Sequence, residues 1–390
     1  MRRTALPKAK VALAAVSLAC GLVACQLQSS PAERTSALVR FERDEGEALP
    51  PIGDGDWLSA WPAWLSSCQA FASSPNRRQA APWQSVCDAA RQLRPQTAQQ
   101  VRNFFSQQMD RYRVVALEDE LPSGTAPLRD ASVARGALTR EHKTGLVTGY
   151  FEPVLEGSRQ RVDPFVVPVY RRPALLPTAT RAELEASGQL RGQELLWVRD
   201  PLEAFVLEVQ GSGRVHLIDG SLVRLAYAAN NGHAYRSIGR WLVEQGELPP
   251  QDVSLQSIID WAHAHPQRVR ELLDQNPRMV FFRELAPGDA TAGPVGTLGV
   301  VLTPGISVAV DPRCLPLGAP LLIQNAAPAS GPIPSRIAIA QDTGGAIHGA
   351  LRIDWFVGQG PAAGQVAGRL RALATVRLLV PRGAAPEVLL

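Results

Sequence analysis

Residues 335–358, Ser-Arg-Ile-Ala-Ile-Ala-Gln-Asp-Thr-Gly-Gly-Ala-Ile-His-Gly-Ala-Leu-Arg-Ile-Asp-Trp-Phe-Val-Gly, restrict the fold of this chain more than any other stretch. They alternate with period two on both sides of a glycine-rich break, a spacing that suits strands and not helices. Ile337, Ile339 and Gln341 share one face of the first strand, and Ala338, Ala340 and Asp342 the other. In the second strand Leu351, Ile353 and Trp355 alternate with Arg352, Asp354 and Phe356. The pattern predicts strand, turn and strand, with Thr343-Gly344-Gly345 supplying positive φ or close backbone approach. Each strand then delivers one carboxylate, Asp342 and Asp354. Small alanines beside Asp342 leave room for a ligand. The same pattern also fits a tight hairpin with two solvated aspartates.

A chain of 390 residues exceeds one ordinary core, so two domains are expected. With 19% charged and 6% aromatic residues, 32 Gly and 32 Pro, it reads as a loop-rich β protein. The net charge of +4 is small and scattered, which gives no reason to expect nucleic acid as a partner. Arg2-Arg3 and Lys8 to Lys10 precede an apolar run, Val11 to Ala19, too short to remain as a membrane-spanning helix. Leu22-Val23-Ala24-Cys25 then reads as a lipobox, with Cys25 as the lipidated residue and Cys20 as the alternative; an ordinary cleaved signal is the plainer reading. Residues 26–44 read as a tether. Cys68 and Cys87 lie on neighbouring helical segments, close enough in sequence for a disulfide, and Cys314 is left over. His263 and His265, two apart on a helix, do not face one another, and no cluster has metal-ligand spacing. No metal is expected.

From Trp57 to Gln108 the aromatic spacing is helical and predicts core helices. Short strands follow at 145–153 and 164–170, then a helix from Thr180 with a capping box to Glu183. Asp200 to Leu217 reads as a strand, a Gly-Ser-Gly turn and a second strand, with Gln210 at the turn. Ser237 starts a helix, Ser254 to Asn276 holds two more, and 279–284 returns to strand. From the break at 286–293 to the end the reading is all-β, with strands at 299–302, 307–310, 320–323, 336–341, 352–357 and 375–380. Asp311, before a proline, reads as a structural turn residue.

Several of these motifs together resemble the membrane-bound lytic murein transglycosylase A family. They are Thr-Gly-Tyr-Phe-Glu-Pro (148–153), Val-Gln-Gly-Ser-Gly (209–213), Asn-Gly-His-Ala-Tyr-Arg-Ser-Ile-Gly-Arg (231–240) and Val-Phe-Phe-Arg (280–283). Val-Asp-Pro-Arg-Cys-Leu-Pro-Leu-Gly (310–318), Gln-Asp-Thr-Gly-Gly-Ala-Ile-His-Gly (341–349) and Arg-Ile-Asp-Trp-Phe (352–356) complete the set. The last group is similar to the 3D domain, whose three aspartates match Asp311, Asp342 and Asp354.

The resemblance implies a mainly β fold with N-terminal helices. A double-psi β-barrel domain (45–150 and 289–390) would be separated by a groove from an inserted β-barrel domain (151–288). It implies cleavage of the β-1,4 bond between N-acetylmuramic acid and N-acetylglucosamine, leaving 1,6-anhydro ends, with no cofactor. Asp354 is the implied acid and Asp342 its neighbour. Gln210, Ser212 and Gly213 are expected to contact sugar, with Tyr150, His233, Tyr235, Arg236, Gly344, Gly345 and Trp355 around them. The implied partners are peptidoglycan glycan strands and the outer membrane, through the lipid of a periplasm-facing lipoprotein. Cell-wall enzyme complexes are the protein partners it leaves room for. A non-catalytic glycan-binding lipoprotein and an inverting hydrolase are the competing expectations.

Overall fold

The computed structural model describes residues 39–44, 51–117, 141–286, 292–326 and 335–390; the leader with Cys20 and Cys25 lies outside them. Two sheets divide the strands. The first begins with β1 (Val39–Arg43), β2 (Met109–Leu117), β3 (Glu141–His142) and β4 (Gly145–Glu152). The chain then enters the second sheet through β5 (Val154–Ser158), β6 (Val167–Tyr170), β7 (Glu194–Val198), β8 (Ser212–Leu217), β9 (Leu222–Asn230) and β10 (Val280–Glu284). It returns to the first as β11 (Ser307–Ala309), β12 (Pro320–Asn325), β13 (Arg336–Asp342), β14 (Ile353–Gln359) and β15 (Arg371–Pro381).

In the first sheet, pairings run β15–β12–β13–β11–β14–β4, and a further β4–β15 pairing closes the ring. Closure removes the edges that an open sheet would expose. The second sheet runs β10–β9–β8–β5–β7–β6, and a bridge between Arg171 and Phe282 links its two ends. Both sheets have their own apolar cores. The molecule is thus mostly β with packed helices.

The helices Asp54–Ser73, Gln84–Gln92 and Ala98–Gln108 cover the first sheet with Trp57, Trp61, Trp64, Phe104 and Phe105. Cys68 and Cys87 form a disulfide that ties the first two together, while Cys314 is buried and free. The helices Arg181–Ser187, Ile238–Glu244 and Leu255–Ala264 begin at Thr180, Ser237 and Ser254, each accepting a hydrogen bond from a backbone amide of its first turn.

Five readings of the sequence need correction. Val39–Arg43 is no tether, because β1 pairs with β2 in full register. Pro201–Gln210 is a helix and not a strand: Asp200 caps the amides of Leu202 and Glu203, Pro201 occupies the first turn, and Gly211 closes it at φ 76°. Residues 299–302 form a turn with a single bridge, Val295 to Val301, instead of a strand. The C-terminal segment is not all β, since Gly360–Arg369 is a helix between β14 and β15. Finally, β13 and β14 are not a hairpin. The short strand β11 lies between them, parallel to β13 and antiparallel to β14.

Candidate active site

The insertion of β11 brings the two aspartates together. Ala309 pairs with Asp342 on one side and with Asp354 on the other. Regular register after Val308–Ala340 would have placed Gln341 opposite Ala309, but a bulge shifts the pairing by one and presents Asp342. Gln341 is instead fully buried. Its amide donates to the Ala63 carbonyl and the Ser67 hydroxyl, and its oxygen accepts from Ser307. Asp354 pairs in turn with Thr148 of β4. The result is a row Asp342, Ala309, Asp354, Thr148 across four strands, with only a methyl group between the acids.

Each acid is held differently. The Thr148 hydroxyl donates to Asp354 Oδ1. Tyr150 donates its hydroxyl to Asp342 Oδ2 at 2.9 Å, and the Thr297 amide and hydroxyl donate to Oδ1 at 2.9 and 3.0 Å. Tyr150, Leu302, Ala309, Ile347 and Phe356 form a buried apolar cluster beside them. Burial is the main cause that pushes the Asp354 carboxyl up to about 6; Asp342 adds to it, while Arg352 and the Thr148 hydrogen bond oppose it. Burial also raises Asp342, against the donors from Thr297, Thr343 and Tyr150.

Beside this row lies a cavity of about 970 Å3 lined by both sheets. Asp342, Thr297, Gly344 and Gly345 line one wall; Gln210, Ser212, Tyr227, Arg278 and Arg283 line the other. Asp354 is not itself a wall residue and sits beyond Ala309.

The remaining expected site residues divide. Gln210 and Ser212 are on the cavity wall, and the Gln210 carbonyl accepts from the Phe151 amide, which fixes its orientation. Tyr235 also lines the cavity. Gly213 does not reach out as a contact: a methyl group there would collide with Leu207, so it is a packing glycine. His233 contacts the Thr178 carbonyl and Arg236 gives its amide to Asn276; neither side chain lines the cavity. Trp355 is buried in the main core, one residue out of phase with Asp354 and so on the opposite face. Phe356, not Trp355, is the ring on the acid side, stacked at a tilt 5.4 Å from Tyr150. Neither Gly344 nor Gly345 has positive φ. Gly345 is needed for close approach, since a methyl there would come 3.0 Å from Arg278 Nη2. Asp311 is a buried structural group that accepts from Arg313 and from the Gly349 amide. Burial works to raise it, but these donors hold it below the usual carboxylate range.

Thr148, Thr297, Tyr227, Arg278 and Arg283 were not singled out in the sequence. Thr148 and Arg283 lie within the quoted motifs 148–153 and 280–283, and the other three carried no signal of their own.

Residues 146–283 match the family model described as MltA specific insert domain, and residues 306–380 match the 3D domain. The chain is 42% identical over 237 residues to the membrane-bound lytic murein transglycosylase A of Vibrio cholerae, covering 58% of this chain and 62% of that relative. The match therefore spans about three fifths of that relative's length. Among solved structures, the lytic transglycosylase LtgG of Burkholderia pseudomallei is 39% identical with a TM-score of 0.55, covering 88% of this chain and 98% of that one. Escherichia coli MltA with bound chitohexaose is 27% identical with a TM-score of 0.64, covering 88% and 94%. With both family models matched in tandem and this much of a 39% identical relative covered, the chain belongs to the membrane-bound lytic murein transglycosylase A family.

Proposed function

We propose that the protein is a peptidoglycan lytic transglycosylase whose single acid and base is Asp354. The observation that carries the reading is a half-buried carboxyl held near pKa 6, with only the methyl group of Ala309 between it and a second acid. A carboxyl so placed keeps its proton to higher pH than an ordinary aspartate, which leaves a protonated fraction available as a general acid. Protonated Asp354 gives its proton to the glycosidic oxygen as the bond to C1 of N-acetylmuramic acid breaks. The 6-hydroxyl of the same sugar, already tethered, closes on C1. Its proton passes to the Asp354 carboxylate, which restores the acid and leaves a 1,6-anhydro end. Asp342 is the partner whose charge raises Asp354 and whose position faces the cavity.

Gln210, Ser212, Tyr235 and the exposed ring of Tyr227 are the wall groups suited to sugar hydroxyls and faces. The bound chitohexaose of the Escherichia coli relative supports a β-1,4-linked N-acetylated glycan as ligand. The six-strand ring with parallel β11–β13 and β14–β4 pairs supports a double-psi barrel, carried with the helices by 45–150 and 289–390, and 151–288 would be the inserted barrel. Cys25 would carry the lipid that holds the protein at the outer membrane, facing the periplasm; among the described residues no helix is long and apolar enough to cross a membrane.

One observation favours a second reading. Two strand spacings, about 10 Å between the backbones of the two acids, also suit an inverting hydrolase in which Asp342 activates water. Digestion of purified sacculi followed by mass spectrometry decides between them. Anhydro-muropeptides are expected; reducing ends would overturn the lyase, and no release at all would leave a binding protein.

A further inference from the structure

Among the described residues, two guanidiniums on the cavity wall have no acid paired to them: Asp342, on the facing wall, is held by Tyr150 and Thr297 and forms no ion pair with either. Glu208 is neutralised by Arg181, at 2.6 and 3.0 Å, and Asp311 pairs with Arg313. Among the described residues Arg278 donates its side chain only to a neutral group, the His233 carbonyl, at 3.1 Å, and its guanidinium lies over Gly345. Arg283 has no hydrogen-bond or ion-pair partner among the described residues and is exposed. Register aligns it with Ala226 and Ser212 across β10, β9 and β8, so all three occupy one row on the cavity wall. A neutral N-acetylglucosamine oligomer offers nothing for two such cations to pair with. A guanidinium presents a planar fork of donors that matches a carboxylate.

We propose that Arg283, assisted by Arg278, recognises a carboxylate carried by the glycan, making the cavity selective for anionic over neutral strands. The inference rests on the peptidoglycan reading and gives it a specificity. Two sources offer that chemistry: the free lactyl acid of N-acetylmuramic acid in strands stripped of peptide, and the carboxylates of the attached peptides. The groove side of β10 binds this group while the sugar backbone runs past Asp342.

The test measures binding without turnover, in the D354N protein, by calorimetry. Soluble strands with free lactyl acids, and peptide-bearing strands, are each compared with the same material after capping of its carboxylates as methylamides. Uncapped strands of at least one kind are expected to bind about 5- to 10-fold more tightly, the range for one partly solvated charge-assisted contact. The kind that shows the preference identifies the source of the carboxylate. Adding R283Q should bring the capped-to-uncapped ratio of Kd close to one, and R283K, which keeps the charge, should retain part of it. Equal Kd for capped and uncapped strands of both kinds, or a preference that persists in R278Q/R283Q, overturns the proposal. Because no product is read, a parent protein that forms no anhydro ends would sink the activity and leave this result standing.

Discussion

At the residue scale the proposed mechanism turns on one proton. Asp354→Asn should keep the fold and lower formation of anhydro ends by about 10²- to 10⁴-fold, the usual contribution of a positioned acid; Asp342→Asn should lower it less. If Asp354→Asn solubilises sacculi normally and Asp342→Asn does not, the two roles are reversed. With Asp354 as the proposed acid its protonated form is the reactive one, so kcat/KM should fall as pH rises through about 6. Thr148 donates to the ionised form and holds the value down. Thr148→Val should therefore move that limb to higher pH, and a profile that stays in place or moves down counts against the assignment. The same shift has a consequence for stability. A carboxyl raised in the folded state makes ionisation costly there, so Asp354→Asn should stabilise the protein above pH 6 by about 1–2 kcal/mol. The gain should vanish below about pH 4, where folded and unfolded chains are both protonated. Thermal melts at pH 8 and pH 4 check the sign.

At the scale of elements, the bulge in β13 is what presents Asp342, and Gln341 anchors it. Its buried amide satisfies Ala63 and Ser67 of the helix Asp54–Ser73, and its oxygen takes the Ser307 hydroxyl of β11. Gln341→Leu has about the right volume but orphans those buried groups, at a cost of about 1–3 kcal/mol. Urea denaturation should show that loss. Activity should fall further than stability, because relaxation of the bulge would return position 341, not 342, to the place opposite Ala309. The helix Pro201–Gln210 teaches a related lesson. Asp200, Pro201 and Gly211 are the start and stop signals of a helix, and Leu202, Phe205 and Leu207 fill its buried side. The run Phe-Val-Leu-Glu-Val reads equally as a strand until those caps are weighed together.

At the scale of the whole molecule, the cavity exists because two sheets with separate cores face each other, joined where β4 passes into β5 at Pro153. The disulfide staples helices that back the first sheet and touches neither wall. Replacing Cys68 and Cys87 together by alanine should cost about 3 kcal/mol for a closed loop of this length. Turnover by the protein that remains folded should be unchanged. A variant that melts at the same temperature as the parent would show that the helices need no staple.

The chain by itself determined what is local. Period-two alternation marked β13 and β14, capping residues marked the helices at 181, 238 and 255, and aromatic spacing marked the N-terminal helical core. It also delivered Asp342 and Asp354, and a resemblance strong enough to name their surroundings. It did not determine which strand lies between them, which residue the bulge turns outward, or that Phe356 and not Trp355 faces the acid. Those depend on β11 pairing with strands some 30 to 45 residues further along, and a register set by distant partners leaves no local periodicity to read. The raised carboxyl is the clearest case: Asp354 is an ordinary aspartate in sequence, and burial in the fold, with Asp342 adding to it, is what lifts its pKa.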